Sequence, residues 1–277
     1  MDISVIFTTY NSPDWLEKAV WGWYAQTDRD FELIVGDDGS TDETRERIDH
    51  LRDATGMEIT HLWQEDHGFR KTRILNKAVE AGAEYLVFSD GDCIPRSDFI
   101  ATHRRYARPG RFLSGGYFKL PEDVSQAITR EDIIAQRPFD VAWLRSQGVR
   151  LNLHALKFTG GWVGTALNNI TTTKATWNGH NASGWKSDLL AVNGFDEQMT
   201  YGGEDREMGY RLVNNGVQPY RIRYSTVCVH LDHGRAYATD EVVAANRAIM
   251  DGTLASGRRW TPHGIADDPE PAAPSGE

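Results

Sequence analysis

The chain has 277 residues, 40% hydrophobic and 25% charged, which is typical of one large globular domain with or without a subdomain. Its net charge of −10 argues against general nucleic-acid binding, and no apolar run reaches the ~20 residues of a transmembrane helix. Two cysteines, Cys93 and Cys228, are too few for a disulfide framework or a Cys-rich metal site. With no leader pattern after Met1, we expect a cytoplasmic protein that meets a membrane only peripherally.

Four strand patterns alternate with helical patterns over the first 90 residues. Strands are predicted at 3–8, 31–36, 58–63 and 84–89, and helices at 13–26, 41–52 and 72–82. Ser12 has the character of an N-cap, with Pro13 at the first helical position. This spacing predicts βαβ units and therefore an α/β fold, with a mostly parallel central sheet and helices on both faces.

The pattern loosens after about residue 111, and periodicity is uninformative between 119 and 180. Further on, helices are predicted at 187–193, 204–215 and 242–252, and a strand at 220–229. Residues 262–277 are rich in Pro, Ala, Asp and Glu, which predicts a disordered tail.

The acidic run Ser89-Asp90-Gly91-Asp92 follows the fourth predicted strand. Two carboxylates two residues apart at a strand end suit a hard cation such as Mg²⁺ or Mn²⁺, which commonly binds nucleotide phosphates. Taken alone, the run is more typical of a solvated turn after a strand. Polar clusters also end the first strand, at Thr8-Thr9-Tyr10, and the second, at Asp37-Asp38. Ligands of parallel α/β sheets bind beyond the carboxyl ends of the strands, so three clusters at one rim favour a binding site.

The nucleotide and hydrolase motifs that would suggest other enzyme classes are missing. The chain has no Gly-x-Gly-x-x-Gly after the first strand, no Gly-x-x-x-x-Gly-Lys-Ser/Thr and no Gly-x-Ser-x-Gly. A dinucleotide site, a P-loop and a serine-hydrolase elbow are therefore disfavoured.

Two groups of motifs resemble known glycosyltransferases. Residues 5–11 (VIFTTYN), 35–42 (VGDDGSTD) and 90–92 (DGD), in this order, resemble family-2 glycosyltransferases. Residues 192–197 (VNGFDE) and 201–205 (YGGED) resemble the C-terminal region of β-1,4-galactosyltransferases and of chondroitin-polymerase-type enzymes.

The resemblance covers roughly residues 3–235 and implies the GT-A fold, a nucleotide-binding α/β sandwich. It implies a single domain over residues 1–261. The nucleotide-binding half would extend to about residue 110, and the acceptor and catalytic half would follow it.

The resemblance also implies a metal site for Mn²⁺ or Mg²⁺. Asp92 is the expected direct ligand, and Asp90 is expected to contact the ribose or a metal-bound water. His230 and His233 fall where galactosyltransferases carry a methionine and a histidine that bind Mn²⁺. A buried structural role for His230 is an equal alternative.

For the chemistry, the resemblance implies Asp205 as the base that deprotonates an acceptor hydroxyl, and Glu204 as a partner of a sugar hydroxyl. Without the resemblance, both carboxylates are as typical of a helix start. Tyr201 is implied in sugar stacking, and Gly202 and Gly203 in a close passage of the backbone beside the sugars.

Uridine recognition is implied at the first two strand ends. Thr9 and Tyr10 are expected to flank the base, and Asp37 or Asp38 to accept a hydrogen bond from the uracil N3–H. Turn capping is the alternative for one of the two aspartates. Arg70 is expected beside the uracil or the diphosphate, with an ordinary surface arginine as the alternative.

Trp162 and Trp185 lie in Gly-rich surroundings and are candidates to stack on sugar faces, with a structural role equally open.

The predicted function is that of a metal-dependent inverting glycosyltransferase. It would move a sugar from a UDP donor to a hydroxyl of a glycan or glycoconjugate acceptor. One alternative is a sugar-phosphate nucleotidyltransferase, but residues 8–13 lack its Gly-rich basic loop. The other is a non-catalytic carbohydrate-binding protein on a degenerate transferase fold.

Overall fold

The structure is a computed structural model that describes residues 1–232 and 239–266. Its strands are β1 (Ile3–Thr9), β2 (Glu32–Asp37), β3 (Ile59–Trp63), β4 (Tyr85–Phe88), β5 (Cys93–Pro95), β6 (Arg111–Ser114), β7 (Gly116–Lys119), β8 (Ala182–Trp185), β9 (Gln218–Arg221) and β10 (Val227–His230). Its α-helices are α1 (Pro13–Tyr24), α2 (Asp42–Thr55), α3 (Lys71–Ala81), α4 (Phe99–Tyr106), α5 (Glu122–Ala127), α6 (Arg130–Ile134), α7 (Val141–Ser146), α8 (Gly161–Ile170), α9 (Lys186–Ala191), α10 (Glu204–Asn214) and α11 (Asp240–Ser256). Two 3₁₀ helices span Arg137–Phe139 and Leu153–Phe158.

A seven-stranded sheet in the order β3-β2-β1-β4-β8-β6-β9 forms the centre of the fold. Six of these strands run in the same direction, and β8 runs antiparallel to both β4 and β6. A smaller sheet in the order β5-β10-β7 pairs His230 with Cys93 on one side and with Lys119 on the other. The predicted α/β fold with a mostly parallel central sheet is confirmed.

The central sheet separates two apolar cores, as expected when successive side chains of a strand point to opposite faces. In β1, Val5 and Phe7 belong to one core, which α1 and α2 cover, whereas Ile6 belongs to the other. The second core is covered by α3, α9 and α10. Helices therefore lie on both faces, as the alternation predicts.

The predictions for the first 90 residues differ from the structure mainly by small shifts at element ends. Ser12 stands at the N-cap of α1 with Pro13 as the first helical residue, as predicted, and its hydroxyl donates to the carbonyl of Tyr10 (3.0 Å) without accepting a bond from the helix.

The prediction of a single strand over residues 220–229 is wrong. The carbonyl of Ile222 accepts from Ser225 N (2.8 Å) and from Thr226 N (3.0 Å), so the chain turns there. As a result, β9 joins the edge of the large sheet and β10 the middle of the small one. A continuous run of β-forming residues does not show where a backbone turn divides it.

Residues 119–180, where periodicity is uninformative, fold into the short helices α5–α8 and the two 3₁₀ helices. The ordered chain also continues past residue 261. Ile265 N donates to Asn193 O (3.2 Å), and Glu197 N donates to His263 O (2.7 Å). Residues 267–277 of the predicted tail lie outside the described residues. Among the helices that the structure describes, none is both long and apolar enough to cross a membrane.

A fully buried ion pair within α10 gives a stability prediction. The Arg211 guanidinium donates from Nε and Nη2 to the carboxylate of Glu207 (2.7–2.9 Å), and Thr253 donates to the same carboxylate (2.8 Å). Because Arg211→Leu leaves a buried carboxylate without its cation, we expect a loss of about 3–5 kcal/mol in the free energy of unfolding, measured by chemical denaturation. Arg206→Leu, on the exposed side of the same helix, is the matched control and should change that free energy by less than about 0.5 kcal/mol. Equal effects from the two variants would contradict this prediction.

Candidate active site

A cleft of about 600 Å³ lies at the carboxyl ends of β1 and β4. This is the rim at which the three polar clusters of the first 90 residues were expected to meet. Ten residues predicted for the site line the cleft: Thr9, Tyr10, Asp38, Asp90, Asp92, Tyr201, Gly203, Glu204, Asp205 and His230. The motifs predicted for nucleotide binding and for catalysis, more than 100 residues apart in sequence, therefore face one space.

Lys71, the first residue of α3, connects these motifs. Its Nζ lies 3.0 Å from Asp90 Oδ1 and 3.8 Å from Glu204 Oε1. Burial disfavours the charged ammonium, but Asp90, Asp205 and Glu204 together raise the pKa of Lys71 well above its usual value. For Asp90, burial is likewise outweighed, first by Lys71 and then by His180, and its pKa falls to about 2.

Asp205 is positioned by the entry into α10. Gly202 and Gly203 have φ of 99° and 95°, in the left-handed region that favours glycine. This turn lets Glu204 accept from the Gly202 N–H (2.9 Å) and directs Asp205 into the cleft. Asp205 Oδ2 accepts from Gly179 N (2.9 Å).

The environment of Asp205 suits a general base. Among the described residues, its shielded Oδ1 has no hydrogen-bond partner, so one carboxylate oxygen remains available to an incoming hydroxyl. Burial and the neighbouring Glu204 raise the pKa of Asp205 to about 7, while Lys71 limits the rise. A carboxyl with a pKa near 7 exchanges protons readily at neutral pH.

Asp92 and His230 form the described pair of side chains best suited to a divalent cation. Asp92 Oδ2 lies 3.3 Å from His230 Nε2, so an oxygen and an imidazole nitrogen already converge at the end of β10. Cys93 lies beside them, and burial raises the pKa of its thiol well above the usual value. Soft sulfur suits Mn²⁺ or Mg²⁺ less well than an oxygen or an imidazole nitrogen. His233, the other predicted ligand, lies outside the described residues.

The residues predicted to contact the uracil base fall into two groups. Asp38 and Tyr10 line the cleft, and Asp38 is held by Gln64 Nε2 (2.6 Å) and by the backbone N–H of Arg70 (2.8 Å). Asp37 is buried away from the cleft, where it binds His61 Nε2 (2.9 Å) and the N–H of Ser40 (2.8 Å). The Arg70 guanidinium donates to the carbonyl of Glu65 and does not line the cleft. Asp37 and the Arg70 side chain thus have structural contacts in place of the predicted ones.

The two tryptophans predicted to stack on sugars do not line the cleft. Trp162 is 84% exposed on α8. Trp185 donates from Nε1 to the carbonyl of Arg108 (2.8 Å) and packs edge-on against Tyr85 (5.2 Å between ring centroids). Tyr201 does line the cleft, where its ring meets Phe69 edge-on (6.0 Å).

Among the cleft residues to which the sequence analysis gave no individual role are Lys71, Tyr117, Lys119 and His180. Lys71 directly follows Arg70, for which a role was predicted, so its charge was the available signal. The others come from the stretch where periodicity is uninformative, or next to it. Burial of the His180 ring lowers its pKa to about 4, so this histidine is neutral at pH 7.

A buried hydrogen-bond chain fixes the segment that leads into β8 and carries His180. Asn181 Nδ2 donates to the carbonyl of Gly116 (2.8 Å), which directs its Oδ1 towards His103 Nε2 (2.9 Å). Burial lowers the pKa of His103 to about 4, so the neutral ring donates from Nε2 and accepts at Nδ1 from Ser183 Oγ (2.7 Å). These bonds hold the backbone next to Gly179, whose N–H binds Asp205.

Comparison with known proteins agrees with this layout. The model of glycosyl transferase family 2 matches residues 4–127, and a model described as the N-terminal domain of galactosyltransferase matches residues 166–234. Validoxylamine A glucosyltransferase of Streptomyces hygroscopicus subsp. jinggangensis is 28% identical over 85% of this chain and 56% of its own length. Chondroitin synthase of Escherichia coli is 24% identical over 90% of this chain and 37% of its own length. The chain therefore spans about half, or less, of the length of these relatives.

A mannosyltransferase from Pyrobaculum calidifontis, solved in complex with GDP-Man and Mn²⁺, superposes with a TM-score of 0.58. It is 21% identical, over 85% of this chain and 58% of its own length, which is evidence for the fold alone. The motifs, both family models and the GT-A fold therefore agree: residues 4–127 are similar to glycosyl transferase family 2, and residues 166–234 are similar to the galactosyltransferase model.

Proposed function

We propose that the protein is a metal-dependent inverting glycosyltransferase that moves a sugar from a UDP donor to a hydroxyl of a glycan or glycoconjugate. The observation that carries this proposal is the shared cleft. Asp205, a carboxylate with a raised pKa, faces the same space as the Asp92–His230 pair. A non-catalytic binding protein would have no need to keep a base and a cation-binding pair together.

In the proposed reaction, Asp205 Oδ1 accepts the proton of the acceptor hydroxyl while the hydroxyl oxygen attacks the anomeric carbon. The new C–O bond forms on the face opposite the diphosphate, and the bond from the anomeric carbon to the phosphate oxygen breaks. Its electron pair leaves on the nucleoside diphosphate. Lys71 favours the ionised form of Asp205, and Glu204, fixed by Lys71 and the Gly202 N–H, offers an oxygen to a sugar hydroxyl.

The chemistry at the end of β10 fits a divalent cation. Asp92 and His230 would hold it, and Mn²⁺ or Mg²⁺ accepts such oxygen and nitrogen ligands. When bound, the ion supplies positive charge that stabilises the departing diphosphate. The mannosyltransferase with the similar fold was solved with Mn²⁺ and a nucleotide sugar, which supports this assignment. A UDP donor is what the resemblance of the sequence motifs to galactosyltransferases implies.

Turnover of nucleotide sugars tests the proposal directly. UDP-, GDP- and TDP-sugars are incubated with the protein, and release of the free nucleotide is measured with Mn²⁺, with Mg²⁺ and with a chelator. We expect turnover of a UDP-sugar that the chelator abolishes and added Mn²⁺ restores. Turnover that resists the chelator would remove the metal from the proposal, and failure to bind or turn over any nucleotide sugar would refute the proposal as a whole.

Replacing Asp205, the proposed catalytic base, distinguishes an effect on the chemical step from an effect on donor binding. We expect Asp205→Asn to lower kcat by roughly 10²–10⁴-fold, because the amide cannot accept the proton, while nucleotide-sugar affinity stays close to wild type. Asp251→Asn, the same change on the exposed side of α11, is the control and should leave both quantities unchanged. If Asp205→Asn instead abolishes donor binding in a folded protein, the assignment of the base is wrong.

The charge of Lys71 gives a pH prediction. A base must be ionised, so kcat/KM of the wild type should fall as the pH drops below about 7. Lys71 lowers the pKa of Asp205, so Lys71→Met should raise it and move this acidic limb to higher pH. Lys71→Arg keeps the charge and should retain the wild-type limb. A limb that moves to lower pH in Lys71→Met, or does not move, would contradict this electrostatic role.

A further inference from the structure

Helix α8 packs against the protein with its polar side. Its fully buried positions are Gly164 and Asn168, whereas Trp162 at one end is 84% exposed and Ile170 at the other is 76% exposed. A helix on the surface of a globular protein ordinarily turns its apolar stripe towards the core. Within the described part of the chain, Trp162 and Ile170 face away from the protein, and the other large apolar side chains of α8 are half-buried.

The outward orientation of α8 is fixed by specific contacts. Asn168 Nδ2 donates to Ser225 Oγ (2.8 Å), and its Oδ1 accepts from Tyr224 N (2.9 Å). A Cβ on Gly164 would come within 2.1 Å of the Tyr224 carbonyl oxygen, so only glycine permits this close approach. The helix is therefore held in one rotation, with its apolar ends outward.

The 3₁₀ helix that precedes α8 extends the exposed apolar surface. Leu153 is 82% exposed and Leu156 is 43% exposed. The Arg96 guanidinium reaches both the carbonyl of Phe158 (3.4 Å) and the backbone around Gly160, which keeps the two helices next to each other. We define the apolar patch as Leu153, Leu156, Trp162 and Ile170.

The chain around the apolar patch is basic, although the whole protein carries a net charge of −10. Residues 141–187 contain five Lys or Arg and no Asp or Glu, and residues 208–231 also lack acidic side chains. Arg150 and Lys174 are exposed. Lys157 and, to a smaller extent, Arg223 lower the pKa of His154, which places both cations near this ring of the 3₁₀ helix. The carboxylate of Asp98, which lies near the start of α8, is paired with Arg96 (2.6 Å).

We propose that the apolar patch and its basic border, which includes Arg150 and Lys174, dock onto an anionic phospholipid bilayer. Trp, Leu and Ile side chains enter the boundary between headgroups and acyl chains, while Lys and Arg stay at the level of the anionic headgroups. A second copy of this chain is a poorer occupant, because a two-fold interface would bring the same basic border against itself.

The 3₁₀ helix also reaches the active-site cleft, since Lys157 Nζ lies 5.0 Å from the ring centroid of Tyr117, a cleft residue. Docking therefore brings this side of the cleft towards the bilayer.

Vesicle co-sedimentation tests the proposal without any measurement of activity. The full chain is mixed with vesicles of phosphatidylcholine alone, or of phosphatidylcholine with phosphatidylglycerol, at increasing salt concentration. We expect binding that requires phosphatidylglycerol and weakens as salt rises. The double variant Trp162→Ser/Ile170→Ser should bind at least roughly tenfold more weakly. Arg150→Gln and Lys174→Gln should each weaken binding by roughly fivefold.

Leu254→Ser is the matched control, because it removes a side chain that is 50% exposed on α11, which does not belong to the patch. It should bind vesicles as the wild type does, and circular dichroism should show the same melting temperature for all variants. Equal binding to neutral and anionic vesicles, or unchanged binding by the double variant, would overturn the proposal. A dimer that the double variant dissociates, without vesicle binding by the wild type, would assign the patch to a second copy.

Discussion

The arrangement of the active site depends on the ion pairs of Lys71. Asp90, Glu204 and Asp205 bring three carboxylates to one partly enclosed rim, where like charges repel more strongly than in water. Lys71 lies 3.0 Å from the first and 3.8 Å from the second, and it limits the pKa of the third. Its own position, at the first residue of α3, is unfavourable for a cation because the helix N-terminus is itself positive. The cation and the carboxylates therefore stabilise one another, and removal of either changes the ionisation of the rest.

Helix α3 also sets the distance between the two halves of the chain. Next to Lys71, Thr72 donates to the carbonyl of Met199 (3.2 Å), and one turn further on Asn76 bonds to both the N–H and the carbonyl of Phe195 (2.7 and 2.9 Å). The loop before α10 is thus attached to the helix whose first residue holds Asp90. The position of the proposed base relative to the diphosphate-binding rim is therefore built into the folded chain, as pre-organised catalysis requires. This is why a residue that takes no part in proton transfer can control the pH range of the base.

Sequence patterns predicted the first half of the fold well and the second half poorly, for a physical reason. From β1 to β4 each element buries one periodic apolar face, and the rim follows from the parallel direction of the strands. The middle of the chain consists of short helices held by specific hydrogen bonds, such as those of Asn168, which leave no periodic trace. For Asp37, Arg70, Trp162 and Trp185 the sequence left both a ligand contact and a structural role open, and in the structure none of these four lines the cleft. Orientation depends on tertiary partners, for example His61 beside Asp37, which motif spacing does not encode.

The overall charge of the chain was a misleading guide to its surfaces. A net charge of −10 describes the field at long range, but at physiological salt charges separated by more than about 8 Å are largely screened from one another. A bilayer in contact with α8 therefore meets the Lys and Arg side chains of that side and little of the acidic side chains elsewhere. The same locality applies in the cleft, where Lys71 and Lys119 share the lining with five carboxylates. The proposed nucleoside diphosphate would therefore depend on the divalent cation held by Asp92 and His230 as well as on these lysines. Net charge alone thus argues neither for nor against the proposed contacts with anions, because each contact depends on the side chains within the screening distance of that surface.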